Sequence, residues 1–326
     1  MLNQISPNSS ECVSFIFNSN TIPVLYFLMS PIALLLNGVA AWVSLRIEST
    51  STFVVYLKNL IAADVIITLI MPITAAGELQ QASKFLFVLS CYVKPIFYST
   101  QYACICLLGL ISQDRFFRIM APQSNLFLNK VIFSKLASVA VWVLLYGSTA
   151  LPNIILSNRS AGSMTQISSC VGLKGPAGIK YHKATVIYLN VLFWGVTVVI
   201  TVSYVCITNK VIQSFRNSGS NNNQGKQRIR LRVFLVVIVF FVSFGPYHIF
   251  RIPYTSLQVS QSAKSACLHL GARFIKEFCL WFASTNICMN PLLYIFLCRE
   301  FKEKFSSMVE NVSLSIQGTS EGKAIN

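Results

Sequence analysis

The sequence predicts an all-α membrane protein, a bundle of seven transmembrane helices followed by a short amphipathic eighth helix. Apolar residues make up 54% of the chain and charged residues 11%, whereas soluble domains carry about 25% charged residues. Seven runs are nearly free of charge, and each approaches the roughly 20 residues that span a bilayer. The basic residues are divided unevenly between the loops of the two sides, which is typical of multi-pass membrane proteins.

The predicted helices are bounded by the charged and turn residues that flank each apolar run. They cover residues 22–45, 53–76, 95–113, 136–157, 184–208, 233–250 and 278–298. Residues 1–21 lack the basic start and compact apolar stretch of a cleaved signal peptide, so we expect helix one to be an uncleaved anchor. The transmembrane domain is then 22–298, and residues 299–326 form the amphipathic helix and a cytoplasmic tail.

Loop charges predict a membrane protein with an extracellular N-terminus. In that orientation 16 of the 26 basic residues fall on the inner side, as the positive-inside rule expects. The sequons that begin at Asn8 and Asn158 then lie outside as candidate glycosylation sites. The outer side keeps ten cations, Lys84, Lys94, Arg159, Lys174, Lys180, Lys183, Arg251, Lys264, Arg273 and Lys276. Only Glu11, Glu78 and Glu277 oppose them, and the net charge of +7 attracts anions.

A proline-kinked apolar helix carries the most informative cation. Pro246 interrupts this helix. Beyond it lie His248, Arg251 and Tyr254, which are spaced three residues apart. Lipid offers a guanidinium neither hydrogen bonds nor solvation, so Arg251 must face other helices or a wet cavity. Lys276, beside the last apolar run, is placed in the same way. These residues predict an outer pocket for an anion, whereas the loop lysines are expected to form a solvated rim.

The sequence argues against an enzyme or a metal protein. Its three histidines lie toward the outer side, and no histidine or cysteine cluster has the spacing of metal ligands. The acidic residues within the spans, Asp64 and Asp114, are too far apart along their helices to share a substrate. We therefore expect neither a catalytic residue nor a metal or cofactor site, and no nucleic-acid partner.

Six short motifs lie in order on the expected helices. They are Asn37, Leu57-Lys58-Asn59-Leu60 with Asp64, Asp114-Arg115-Phe116, Trp142, Phe244-Gly245-Pro246-Tyr247 and Asn290-Pro291-Leu292-Leu293-Tyr294. Together they resemble the pattern of rhodopsin-like G-protein-coupled receptors over residues 20–308. Within that class, residues 51–59, 151–158, 247–255 and 276–278 resemble purinergic nucleotide receptors. The most similar branch senses ADP or UDP-sugars, and residues 246–249 and 275–278 look most like its UDP-sugar receptors.

The resemblance implies that the outer pocket binds an extracellular nucleotide or nucleotide sugar. Arg251 would hold the diphosphate through two hydrogen bonds and Lys276 would act as a point charge. Tyr98 offers a ring on which a base can stack, although ordinary helix packing explains Tyr98 and Tyr102 equally well. The ligand-binding residues that the resemblance implies are Tyr98, Tyr102, Lys174, His182, His248, Arg251, Tyr254 and Lys276.

The resemblance also implies a coupling surface for an inhibitory G protein at the inner end. Arg115 is expected to hold Asp114 or nearby polar groups at rest and then to receive a helix terminus of the G protein. The residues with coupling and switch roles are Asp64, Asp114, Arg115, Tyr204, Asn290, Pro291 and Tyr294. The basic third inner loop is expected to contact the G protein or anionic membrane lipid.

Four cysteines lie on the oxidising outer side, Cys12, Cys91, Cys170 and Cys267. Position alone leaves three pairings possible. With the receptor resemblance in place, we expect Cys91 to pair with Cys170, which ties helix three to the second outer loop. Cys12 is then expected to pair with Cys267.

The sequence therefore predicts a receptor that lowers cyclic AMP in response to a UDP-sugar or ADP. One alternative is a receptor for another phosphate-bearing anion, such as a lysophospholipid. A heptahelical transporter is a second alternative, but it should show a repeated half, which this sequence lacks. A third is a receptor that binds without signalling, because Phe116 and Asn290 stand where the purinergic branch usually has tyrosine and aspartate.

Overall fold

The computed structural model describes residues 20–121, 130–159, 170–217, 223–259, 266–298 and 300–310. Helices dominate these residues and are numbered here in chain order. They are α1 (Thr21–Leu45), α2 (Thr52–Ala76), α3 (Lys84–Met120), α4 (Val131–Leu145, continued by Leu151–Ile155), α5 (Pro176–Asn217), α6 (Asn223–Val259), α7 (Ala266–Ser284 and Asn286–Leu297) and α8 (300–310). We call the end of the bundle at which α1 begins the outer end, and the opposite end the inner end.

Six helices within the described residues are long and apolar enough to cross a membrane. They are Thr21–Leu45, Thr52–Ala76, Lys84–Met120, Val131–Ile155, Pro176–Ser214 and Gly271–Ile295. The remaining predicted span, residues 233–250, lies within α6. In α8, Phe301 and Met308 are buried while Lys302 and Lys304 are exposed. The predicted all-α membrane bundle is therefore confirmed, and α8 is amphipathic.

Helices α3 and α5 are longer than the apolar runs that predicted them. The hydroxyl of Ser83 caps α3 by accepting a hydrogen bond from the backbone nitrogen of Leu86 at 3.2 Å. Helix α5 begins at Pro176, a residue whose fixed backbone angle suits the first helical position. Charged residues do not end a helix that leaves the bilayer, because their heads reach water there. The added turns carry Lys94 and His182 into the outer site described below.

Helix α3 lies at the centre of the bundle, where it contacts α2, α4 and α5. Its hydroxyl-bearing residues Ser99 and Thr100 form hydrogen bonds with Thr149 and Tyr146 of α4. Those two residues belong to the π-helical turn Tyr146–Ala150 that interrupts α4. Polar contacts between helices satisfy side chains that the bilayer cannot solvate. They also fix how the outer part of α4 faces the outer cavity.

A polar cluster joins α2, α3 and α7 at mid-height in the bundle. Asp64 accepts hydrogen bonds from the amide of Asn290 at 3.0 and 3.1 Å and from the hydroxyl of Tyr294 at 2.6 Å. The thiol of Cys104 also donates to Asp64, at 3.6 Å. Pro291, beside Asn290, is buried in the same part of α7. Asp64 is thus held by four internal hydrogen bonds, three of which come from Asn290 and Tyr294, two other expected switch residues.

Candidate functional site

A cavity of about 1030 Å³, open to solvent, lies at the outer end of the bundle. Helices α3 to α7 contribute its walls, together with the segments that follow α2 and precede α5. Six of the eight expected ligand-binding residues line it, namely Tyr98, Lys174, His182, Arg251, Tyr254 and Lys276. The other two, Tyr102 and His248, lie one helical turn further inward and are 1% and 2% exposed. The structure thus brings the eight residues together but keeps two of them out of the cavity wall.

Arg251 of α6 sits in a cage of tyrosines at the cavity wall. Its guanidinium lies 5.2 Å from the ring centre of Tyr98, 5.5 Å from that of Tyr102 and 5.4 Å from that of Tyr247. Its Nη1 also donates a hydrogen bond to the Tyr102 hydroxyl at 2.7 Å. Aromatic faces attract a cation without neutralising it. Arg251 therefore keeps its full positive charge next to the cavity.

Lys174 supplies a second buried cation from the segment between the disulfide and α5. Its Nζ donates to the carbonyl of Asn153 at 2.8 Å, to Asn153 Oδ1 at 3.2 Å and to Ser157 Oγ at 3.0 Å. These three acceptors are neutral, so they solvate the ammonium without cancelling its charge. Burial lowers the pKa of Lys174 to about 8, because the charged form loses water.

Two other cations of the cavity are paired with carboxylates. Lys276 forms a salt bridge with Glu277 and also lies 5.0 Å from the ring centre of Tyr254. Lys94 forms a salt bridge with Glu78. Burial acts to raise the pKa of Glu78, but Lys94, Arg273 and Lys276 outweigh it and lower that pKa. In the described part of the chain, neither Arg251 nor Lys174 forms a salt bridge with an acidic side chain.

A stripe of neutral polar residues on α4 and just after its outer end completes the cavity, and sequence reasoning missed it. Thr149, Asn153 and Ser157 are spaced by four residues, are buried, and line the cavity. Ser99 of α3 and Thr185 of α5 extend the stripe. Residues four apart lie on one face of a helix. The four-residue spacing of polar side chains within an apolar run was the signal that would have found it.

Tyr102 and His248 form a packed layer on the inner side of the cavity. The Tyr102 hydroxyl bonds to Nε2 of His248 at 2.8 Å. The imidazole of His248 stacks on the ring of Phe193, with 3.6 Å between the two ring centres and an interplanar angle of 8°. Both residues are expected to contact a ligand, and within the bundle each is also hydrogen-bonded to other groups. Full packing on all sides explains why they do not reach the wall.

At the inner end, Asp114 forms a salt bridge with Arg118. Its Oδ2 accepts a hydrogen bond from Nε of Arg118 at 3.1 Å, and its other oxygen bonds the hydroxyl of Thr52. Arg118 reaches the same hydroxyl through Nη2 at 2.6 Å. Arg115 instead lies over the ring of Phe53, at 4.1 Å from its centre. Residues i and i+4 lie on one helix face, which puts Arg118 rather than the adjacent Arg115 beside Asp114.

A second cavity, of about 600 Å³, lies between the inner parts of α2, α3, α5, α6 and α7. It is lined by the switch residues Tyr204, Asn290 and Tyr294. The remaining lining is mostly apolar, with Ser112 and Asn286 as the other polar residues. Three of the expected switch residues, one on α5 and two on α7, thus face one shared space.

The expected bridge between Cys91 and Cys170 is present and ties α3 to the 3₁₀ turn Cys170–Leu173. The expected bridge from Cys12 to Cys267 involves Cys12, which lies outside the described residues, as does Asn8. Asn158 is described and exposed. Among the described residues, no group of three or more histidines, cysteines or acids lies together so that it could hold a metal ion.

Comparison with known proteins gives one family for the whole bundle. Residues 36–294 match the model of the 7 transmembrane receptor (rhodopsin family). Purinoceptor 13 of Homo sapiens is 41% identical over 304 residues, which cover 93% of this chain and 83% of that protein. Purinoceptor 14 of Bos taurus is 35% identical over 324 residues, or 98% and 95% of the two chains. G-protein coupled receptor 87 of Mus musculus is 33% identical over 289 residues, or 88% and 80%.

These matches cover nearly the whole described bundle, including the outer cavity and the inner Asp114-Arg115 motif. They make the protein a multi-pass plasma-membrane receptor and not an enzyme or a transporter. The chain therefore belongs to the rhodopsin family of seven-transmembrane receptors and, within it, to the purinoceptors.

Proposed function

We propose that this receptor, with its N-terminus outside the cell, binds an extracellular nucleotide or nucleotide sugar and activates an inhibitory G protein. The observation that carries the proposal is one outer cavity with two buried cations, Arg251 and Lys174, that have no acidic partner among the described residues. A buried charge without a partner is costly to the folded protein. A phosphate-bearing ligand supplies the missing negative charge.

The two cations suit the two parts of a diphosphate. Arg251 presents a planar fork that binds phosphate oxygens through paired hydrogen bonds, and the tyrosine cage leaves the charge of that fork uncompensated. Lys174 is a compact point charge that already holds neutral acceptors. Lys276 adds a third cation, which a ligand must share with Glu277.

The neutral stripe on α4 suits the uncharged part of such a ligand. Thr149, Asn153 and Ser157 offer hydroxyl and amide groups, which are the partners that a base or sugar needs for orientation. The ring of Tyr98 lines the same cavity and provides a stacking surface. Cations and neutral polar groups within one cavity support a nucleotide or nucleotide sugar over a simple inorganic anion.

Coupling to a G protein is supported at the inner end. Relatives of this chain carry the names purinoceptor and G-protein coupled receptor, and Arg115 lies on the last turns of α3. We assign Arg115 to contact with the G protein and Tyr204 and Tyr294 to support of the open state. The inhibitory class follows from the resemblance to receptors that sense ADP or UDP-sugars.

The test is a ligand panel applied to cells that express the full chain. ADP, ATP, UDP, UDP-glucose and a lysophospholipid are each assayed for inhibition of cyclic AMP formation, with and without pertussis toxin. We expect ADP or UDP-glucose to inhibit, and the toxin to remove the response. A response to the lysophospholipid alone would replace the proposed ligand class, and a full response after toxin would exclude the inhibitory G protein.

A further inference from the structure

An unbroken series of hydrogen bonds leads from the cavity wall into the backbone of α6. Arg251 Nη1 donates to the Tyr102 hydroxyl at 2.7 Å, the Tyr102 hydroxyl meets His248 Nε2 at 2.8 Å, and His248 Nδ1 meets the Phe244 carbonyl at 2.7 Å. The donor or acceptor role of the first and last groups in this series is fixed by their chemistry. Arginine can only donate and a carbonyl can only accept.

These two ends determine the direction of every bond between them. The Phe244 carbonyl accepts, so Nδ1 of His248 carries the hydrogen, and Nε2 of the neutral ring is an acceptor. Tyr102 accepts from Arg251 and therefore gives its own hydrogen to Nε2. All donors point inward from Arg251, so each hydrogen bond strengthens the next by polarisation.

Close packing holds the middle of the series in place. His248 is 2% exposed, is stacked on Phe193, and has its backbone carbonyl bonded to Asn190 Nδ2 of α5 at 2.7 Å. Tyr102 is 1% exposed and meets the His248 ring edge-on at 5.5 Å. Both residues lie behind the cavity wall, which Arg251 lines. A ligand in the cavity therefore reaches them through Arg251.

We propose that Tyr102 and His248 are positioning residues, which fix the guanidinium of Arg251 for a phosphate without touching the ligand. The inference rests on the proposed function, in which Arg251 binds that phosphate. An arginine side chain loses much rotational freedom when it is ordered, and fixing it before binding removes that cost from the binding step. The Tyr102 hydroxyl fixes the guanidinium of Arg251, and Nε2 of His248 fixes the Tyr102 hydroxyl.

The variant Tyr102→Phe isolates this role because it removes one oxygen and keeps the ring beside Arg251. Without the Tyr102 hydroxyl, the cost of ordering the Arg251 side chain falls on the binding step, so the expected loss of agonist potency is about three- to tenfold. Tyr188→Phe is the control, since this exposed tyrosine of α5 lies outside the cavity wall. His248→Gln, which keeps a side-chain acceptor for Tyr102, is expected to preserve more potency than His248→Phe.

The test is a double-mutant cycle on the full chain in membranes, read as ADP- and UDP-glucose-stimulated G-protein activation over a wide concentration range. We expect Tyr102→Phe to lose potency alone but to add less than about twofold to the loss caused by Arg251→Ala. Potency equal to wild type in Tyr102→Phe, or losses that multiply in the double variant, would overturn the positioning role. If Arg251→Ala itself matches wild type, the anion site of the proposed function fails as well, and the two failures are thereby distinguished.

Discussion

The ammonium of Lys276 forms a salt bridge with the carboxylate of Glu277, the next residue of α7. Arg251, the other cation expected to hold the same anion, is surrounded by tyrosine rings and has no acidic partner among the described residues. The two cations are therefore unequal. A ligand meets an uncompensated charge at Arg251, whereas at Lys276 it competes with Glu277.

The first prediction follows from that competition. Lys276→Ala removes a cation and also leaves Glu277 without this partner, so a diphosphate is repelled and potency falls by about tenfold or more. The double variant Lys276→Ala/Glu277→Ala removes the repulsion and is expected to recover part of the loss. Dose–response curves for ADP and UDP-glucose measure both variants. Lys183→Ala, a change at an exposed lysine of α5, serves as the control.

Recovery in the double variant is the decisive comparison. If Lys276→Ala and Lys276→Ala/Glu277→Ala lose the same potency, Glu277 does not oppose the ligand and the salt bridge has no part in binding.

The second prediction concerns pH and Lys174. Its pKa is lowered to about 8 by burial, so the ammonium is charged below that pH and becomes neutral above it. A bound phosphate favours the charged form, and affinity must therefore fall as pH rises. Between about pH 6.5 and about pH 8.5 the expected fall for UDP-glucose is about fourfold. Equilibrium binding on membranes at several pH values measures it.

Lys174→Arg separates this effect from other titrations, because arginine stays charged throughout the range. Its binding is expected to depend much less on pH than that of the wild type. An equally steep pH dependence in Lys174→Arg would assign the titration to another group.

The third prediction concerns the disulfide between Cys91 and Cys170. Lys174 follows Cys170 by four residues, so the bridge fixes the segment that carries this cation into the cavity. Cys170→Ser is expected to cost about 2–4 kcal/mol of stability and to weaken ligand binding further. Thermal unfolding of the purified receptor measures the first effect. Peptide mapping without reductant checks this bridge. The same experiment tests the proposed pairing of Cys12 with Cys267, and free thiols at both of those positions would contradict that pairing.

The fourth prediction concerns the inner end of α3. Thr52 of α2 joins Asp114 and Arg118, and the next residue, Phe53, holds Arg115. Thr52→Val keeps the shape but removes the hydroxyl, so basal G-protein activation is expected to rise by about two- to fivefold. Arg118→Ala should raise it less, because the Arg118 side chain is 43% exposed and exposed pairs contribute little.

Nucleotide exchange measured without agonist, at matched surface expression, checks this restraint. Arg115→Ala is expected to abolish both basal and stimulated activation. Unchanged basal activation in Thr52→Val would show that the first turn of α2 does not restrain α3.

Much of the fold was predictable from sequence because the bilayer imposes a simple rule on it. Apolar runs near 20 residues gave the spans, and the chemistry of lipid required Arg251 and Lys276 to face a cavity. Helix ends were less predictable. The extensions of α3 and α5 beyond residues 95–113 and 184–208 depend on water and on capping at Ser83, which hydropathy does not register.

The internal division of the site was not predictable, because it depends on contacts between helices. Lys276 is paired with Glu277 while Arg251 is surrounded by tyrosines. Their adjacency in the sequence does not predict this pairing, because consecutive residues of a helix do not face each other. Tyr102 and His248 occupy the expected faces of α3 and α6, but only the stacking of His248 on Phe193 and the hydrogen bond from Tyr102 to His248 show that they lie inside the wall. Likewise, Asp114 pairs with Arg118 and not with the adjacent Arg115, because residues four apart share a face of α3.

The most direct test compares wild type with Arg251→Ala for inhibition of cyclic AMP by ADP and by UDP-glucose. Loss of a desolvated cation that binds a phosphate typically costs about 2–5 kcal/mol, so the potency of the active nucleotide should fall by well over tenfold at equal surface expression. Lys183→Ala should match wild type. An Arg251→Ala receptor that responds like wild type to the active nucleotide would contradict the outer anion site, and the basic residues at the outer end would then be only a solvated rim.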